Sequence, residues 1–188
     1  MRTRDYDKQR RIKESMVRLI LRDGLASTSV AKIARDAGVS PATIYVYYDS
    51  KEAMLAEVFR ECSRETYVYL QQQLSPEMDG RELIRSIVQG YYTYTVEHEA
   101  MFSFVEQCSR CPGVAQGFAE EDCFCGIFDL IHEYQRRGIL RQYSDENVAA
   151  VLLAPVKFIA MNRSCAGRDI DEQLGELVQM LQLLLVRQ

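Results

Sequence analysis

The stretch that most constrains this chain runs from Ser27 to Lys51, STSVAKIARDAGVSPATIYVYYDSK, because it holds two helix signals separated by a very short turn. The first helix opens at Ser27 or Thr28, whose hydroxyls can accept from the free amides of a first turn, and it sets Val30, Ile33, Ala34 and Ala37 at helical spacing. Gly38 closes it, since glycine readily takes the left-handed backbone that ends a helix, and Val39 then turns inward between the two helices. Ser40 followed by Pro41 restarts the helix at once: serine caps, and proline has its φ pre-set for the first helical position with no amide to leave unbonded. Ala34 is small enough to let the two helices cross closely, as a helix-turn-helix with a turn of about three or four residues requires.

The second helix buries Ile44 and Tyr48, four apart, and leaves Pro41, Ala42, Thr43, Tyr45, Val46 and Tyr47 outward or at the rim. Tyrosines in a short helix are more often core than contact residues, but here they sit on a face without a single charge. Such a face fits a DNA major groove, with hydroxyls for phosphates or base edges and methyls for thymine. Lys51, at the start of the next helix, is placed to meet a phosphate. Thr28 and Ser40, at the two helix starts, complete the candidate DNA-contact set.

At these residues the chain resembles the tetracycline-repressor-like (TetR/AcrR) family of transcriptional regulators. Thr28, Ile33, Ala34, Ala37, Gly38, Val39, Ser40, Thr43, Ile44, Tyr45, Tyr47 and Lys51 stand in register with its signature, which spans about a quarter of the chain. Tyr48 takes the place of a usual phenylalanine, and Pro41-Ala42 that of a commoner lysine-glycine pair. The resemblance implies an all-α fold: an N-terminal three-helix DNA-binding domain, then a helical bundle that binds a small effector and forms the homodimer. On that basis residues 1–51 are expected to read DNA and 52–188 to bind effector and dimerise.

Charge follows the same division. Residues 1–51 hold 11 Lys/Arg against 6 Asp/Glu, whereas residues 52–188 hold 12 against 21. A basic head supplies the salt-dependent, phosphate-neutralising part of DNA affinity and an acidic body does not, so only one end of the molecule is expected to dock.

Residues 1–8 are polar and read as frayed, with Arg2 and Arg4 free to reach DNA. Ile12, Met16, Leu19 and Ile20 then predict an amphipathic helix from about Lys8 to Arg22, with Arg10, Arg11 and Arg18 on its polar side. A long helix of about residues 51–74 starts at a Ser50 cap and ends before Ser75-Pro76, joining head to body as one rod. Further helices are predicted at roughly 79–97, 99–110, 114–137, 144–166 and 170–187, with no segment of strand period.

Aromatic residues concentrate in the body. Most are expected to be core, but Tyr91, Tyr94, Phe102, Phe124, Phe128 and Phe158, with Glu106 and Asn162 as polar members, have the composition of a cavity for an apolar or aromatic effector. The last two helices carry Val148, Val151, Leu152 and Pro155, then Leu174, Leu177, Val178 and Leu181. That is more apolar surface than one small body covers, and pairing with a second copy would bury it as a four-helix interface. Pro155 should kink its helix.

Cys108 and Cys111 form C-x-x-C, and Cys123 and Cys125 form C-x-C. On a continuous helix, residues two apart point to nearly opposite sides, so Cys123 and Cys125 are poor joint metal ligands. Buried thiols are the simplest reading, a redox- or metal-responsive regulator the alternative. No cofactor, no metal and no catalytic residue is expected. There is no phosphate loop, nucleophile elbow or H-E-x-x-H, and His98 and His132 are the only histidines, so a helical enzyme is the weakest reading. Nor is there a membrane-length apolar run or a leader pattern, which predicts a cytoplasmic protein.

Overall fold

The computed structural model describes residues 2–109, 125–164 and 169–187, without the side chains of residues 2–4, 125 and 126. Among these, every regular element is an α-helix: α1 Arg2–Asp23, α2 Val30–Ala37, α3 Pro41–Tyr47, α4 Lys51–Gln71, α5 Gly80–Glu97, α6 Glu99–Cys108, α7 Cys125–Arg136, α8 Asp145–Met161 and α9 Ile170–Leu185. A lone antiparallel bridge joins Leu140 to Val186. Three boundaries differ by several residues from expectation, one of them the end of α8, at Met161 rather than about 166. The first helix starts at Arg2 rather than about Lys8, and α4 stops at Gln71, where the Gln73 and Leu74 amides donate to the Leu70 and Gln71 carbonyls in a tighter final turn. Residues 110–124, including much of the helix expected at 114–137, lie outside the described set.

The chain forms two compact units. The first comprises residues 1–63 and 99–123, the second 64–98 and 124–188, so the boundary falls inside α4. In the first unit Ile12, Met16, Leu19 and Ile20 of α1 recur at spacings of three and four and are buried against Ile33, Ala34 and Ala37 of α2 and Ile44 of α3. Met54, Leu55, Val58, Phe59 and Cys62 of α4 and Phe104 and Cys108 of α6 close the same core.

Polar ties fix the angles between these helices. The Ser15 hydroxyl and Arg18 both donate to the Asp36 carboxylate, joining α1 to α2 and holding that carboxyl below the usual carboxylate range. Lys13, largely buried, pairs with Glu61 of α4 at 3.3 Å. Burial, reinforced by Glu57 and Glu61, pushes the Tyr48 phenol from 10.0 up to about 12. Its contribution to stability is therefore complete below the unfolded value and is lost as pH rises through the folded one. Between pH 10 and 12 the melting temperature of the protein is expected to fall more steeply than that of Tyr48→Phe, a comparison that circular dichroism checks directly.

In the second unit Asp79 caps α5, accepting from the Arg81 and Glu82 amides, while Glu82 reaches back to the Asp79 amide. This fixes the start of a helix whose Leu83, Ile84, Ile87, Val88 and Tyr91 face α8 and α9. Tyr134 of α7 is fully buried and donates its hydroxyl to the Met78 carbonyl at 2.5 Å. Gln182 of α9 donates to the Arg81 carbonyl at 2.9 Å. Tyr134 and Gln182 thus tie their helices to the start of α5.

Candidate nucleic-acid interface

The helix-turn-helix forms as its sequence demands, with one shift at its start. The cap of α2 is Ser29, in extended backbone at φ −119° and ψ 157°, and its side chain accepts from the Lys32 amide. Neither Ser27 nor Thr28 caps the helix. Thr28 is 1% exposed and donates its hydroxyl to the Gly24 carbonyl at 2.9 Å, so it braces the loop and does not face DNA. Gly38 takes φ +66°, and the Val39 amide donates to the Ala34 carbonyl at 2.9 Å, completing the left-handed helix stop. Ser40 caps α3 by accepting from the Thr43 amide at 3.1 Å, with Pro41 in the first turn.

On α3 only Ile44 is buried, at 1% exposure, and Tyr48 just beyond it is buried too. Pro41, Ala42, Tyr45 and Val46 are exposed, Val46 to 77% and Tyr45 to 56%. Their spacing puts them on one side of a two-turn helix. Thr43 and Tyr47 are half-buried at its edges, and their hydroxyls are engaged within the protein. Thr43 Oγ1 lies 2.9 Å from Ser40 Oγ, and the Tyr47 hydroxyl donates to Asp5 at 2.6 Å, which raises the Tyr47 phenol above its ordinary value. Lys51 is half-buried, and its ammonium donates to the Leu25 carbonyl at 2.9 Å, fastening the loop before α2 to the first turn of α4.

The flanking cations sort themselves by partner. Arg10 pairs with Asp7 and Glu14, Arg18 with Asp36, and Arg22 with Asp23. Arg11 is exposed, and its Nη1 comes within 3.5 Å of where a Cβ on Gly38 would stand, beside the turn. Arg11 is thus a cation of α1 set beside the turn that leads into the reading helix. Sequence alone could have found it only by knowing how α1 crosses α2.

The residues expected to line an effector cavity are divided between the two units. Phe102 and Glu106 belong to the first unit, on α6, whereas Tyr91, Tyr94 and Phe128 belong to the second. Phe158 is 70% exposed, and Asn162 is an exposed helix cap donating to the Phe158 carbonyl at 2.8 Å. Phe124 lies outside the described residues. What the second unit does assemble is an aromatic group of Tyr69, Tyr94 and His98, with ring centroids 4.6–6.1 Å apart. A separate polar groove of about 510 Å³ is lined by Asp129, His132, Gln135, Arg136 and Gln142.

The expected dimer residues need the same correction. Val148, Leu152, Leu174, Leu177, Val178 and Leu181 are buried within their own protomer, and Val151 and Pro155 are half-buried. The apolar side chains that α8 and α9 leave in solvent are Phe158, Met161, Met180, Leu183 and Leu184. Both helices pack on α5 and on each other, so the strongest apolar stripe of each is its own core stripe. Cys108 is fully buried in the first unit's core; Cys111, Cys123 and the Cys125 side chain lie outside the described residues. Among the described residues no helix is long and apolar enough to cross a membrane.

Residues 14–58, which contain the whole helix-turn-helix and the first turns of α4, match the family described as bacterial regulatory proteins, tetR family. The chain carries a tetR-family segment. It is a DNA-binding transcriptional regulator. An HTH-type transcriptional regulator of Haemophilus influenzae, itself uncharacterised, is 22% identical over 179 residues, covering 95% of each chain. The crystal structure of a TetR regulator from Marinobacter aquaeolei shares the fold over 100% of both chains, with a TM-score of 0.84 at 23% identity. So does the transcriptional regulator FadR of Bacillus subtilis, solved in complex with stearoyl-CoA, with a TM-score of 0.72 at 19% identity over 91% of this chain and 96% of that one.

Proposed function

We propose that this TetR regulator is a homodimeric repressor that holds a palindromic operator with its two copies of α3 and is released by a small apolar or aromatic effector. The observation that carries the reading is the row of apolar side chains left in solvent on α8 and α9, Phe158, Met161, Met180, Leu183 and Leu184, in a chain whose core residues are otherwise well covered. A second copy presenting the same row would cover it in an isologous contact, and the symmetry would give two reading helices about one DNA turn, ~34–36 Å, apart or somewhat more. Residues 1–51 then do the reading, backed by the first half of α4 and by α6, and residues 52–188 supply the effector-binding and dimerising surfaces.

Release is a population shift. The effector favours an arrangement of the two heads whose spacing does not match DNA, and it lowers operator affinity by no more than its differential affinity for the two arrangements. The aromatic group of Tyr69, Tyr94 and His98 supports an apolar or aromatic effector in the second unit. The occurrence of the same fold around stearoyl-CoA in FadR of Bacillus subtilis supports a body of this kind accepting a long apolar ligand.

The test is binding of the purified protein to a duplex carrying its own upstream intergenic region, at two salt concentrations, beside a scrambled duplex. Specific binding by two protomers, weakening steeply as salt rises, is expected; a log–log slope of about −0.9 per neutralised phosphate would count the contacts. Equal affinity for the scrambled duplex overturns the operator assignment.

A further inference from the structure

We propose that α3 reads its operator chiefly through the C5 methyl groups of thymine, with Ala42 and Val46 as the methyl-contacting residues on either side of Tyr45. The inference rests on the reading that the exposed face of α3 enters the major groove.

Each base pair offers different chemistry there. Guanine is read by a bidentate Arg or Lys, adenine by Asn or Gln, cytosine by a carboxylate, and thymine by apolar contact with its methyl. The exposed face of α3 consists of Pro41, Ala42, Tyr45 and Val46 and supplies none of the first three. Its two edge hydroxyls are turned away from the task, Thr43 toward Ser40 at 2.9 Å and Tyr47 toward Asp5 at 2.6 Å. The Tyr45 phenol is left as the polar tip of an otherwise aliphatic surface. Val46, at 77% exposure, is the most exposed large apolar side chain among the described residues. It sits on the most basic part of the chain, where an uncharged projection gains by being pressed into DNA and not by staying in water.

Thymine carries its methyl where 5-methylcytosine carries the same group, which makes the proposal separable from hydrogen-bond reading. The probe is the tightest-binding duplex recovered by the purified protein from a pool of random sequence. Replacing single thymines by deoxyuridine, which deletes only the methyl, should lower affinity by about fourfold at one or two positions in each half-site, the worth of one buried methyl-sized group. Exchanging such a T·A pair for C·G should weaken binding, and methylating that cytosine at C5 should restore most of it. Val46→Ala, an exposed change, should erase the deoxyuridine effect at one position while leaving the salt dependence intact. If deoxyuridine is neutral at every thymine while base-pair exchanges still weaken binding, α3 reads hydrogen-bonding edges and the proposal fails, with the operator reading standing. If no sequence is enriched from the pool, the operator reading itself fails and the proposal falls with it.

Discussion

Met180→Glu combined with Leu183→Glu is expected to convert the proposed homodimer to monomers and to abolish specific operator binding while each protomer stays folded. Both side chains are about two-thirds exposed in the protomer, at 67% and 66%, so glutamates there are solvated and cost its fold little. In an isologous contact the two changes bring four carboxylates out of water, each at several kcal/mol, which totals on the order of 10 kcal/mol. A dimer of nanomolar affinity is held by about 12 kcal/mol, so it would be fully dissociated at micromolar protein. Light scattering together with helical circular dichroism checks both halves of this expectation. A variant that remains dimeric would place the contact between copies on another face.

Ile44→Ala has the largest expected effect on stability. Ile44 is 1% exposed and is the single buried side chain of α3, so its loss removes the pin that holds this helix on Ile33 and the α1 stripe. Truncation of a buried isoleucine costs about 2–5 kcal/mol, a large share of the roughly 5–15 kcal/mol that holds a typical domain together. Thermal unfolding of the variant should show an early transition, and DNA binding should be lost with it. Val46→Ala, two residues along the same helix, should stay within about 0.5 kcal/mol of the parent. Similar melting of the two variants would mean that α3 is not seated through Ile44.

The reading head was legible because its signals are local. Ser40-Pro41 and Gly38 act within one helical turn of themselves, and the structure forms the cap and the left-handed stop where those residues stand. Three hydroxyl residues follow one another at Ser27, Thr28 and Ser29, and the expected cap was one of the first two, whereas the structure uses the third. The choice of Ser29 goes with a local backbone turn that also sends the Thr28 hydroxyl to the Gly24 carbonyl four residues back, and the run of hydroxyls carries no mark of it. The same holds for Thr43 and Tyr47, whose hydroxyls looked available until Ser40 and a first-turn residue of α1, Asp5, were brought to them.

The body was legible as helices and illegible as surfaces. On α9, Leu177 and Leu181 are core while Met180 and Leu183 are in solvent, although all four are equally apolar. Period alone identifies a stripe, and when a helix is apolar on two sides it cannot say which side faces its own chain. The candidate cavity residues were picked with the same blindness to facing. Phe158 and Phe102 were grouped by chemical type, whereas the fold leaves one in solvent in the second unit and buries the other on α6 in the first.

The short reading helix separates two jobs that usually compete within one element. Ile44 is the one buried side chain that seats it, Pro41, Ala42, Tyr45 and Val46 are its exposed side chains, and half-buried Thr43 and Tyr47 stand between the two sets. Under the proposed reading, a change of address needs only those four outward positions and leaves the Ile44 seat untouched. A gene duplicate of this regulator could acquire a new target without passing through an unstable intermediate, and an engineer could graft another reading face onto the same scaffold for the same reason.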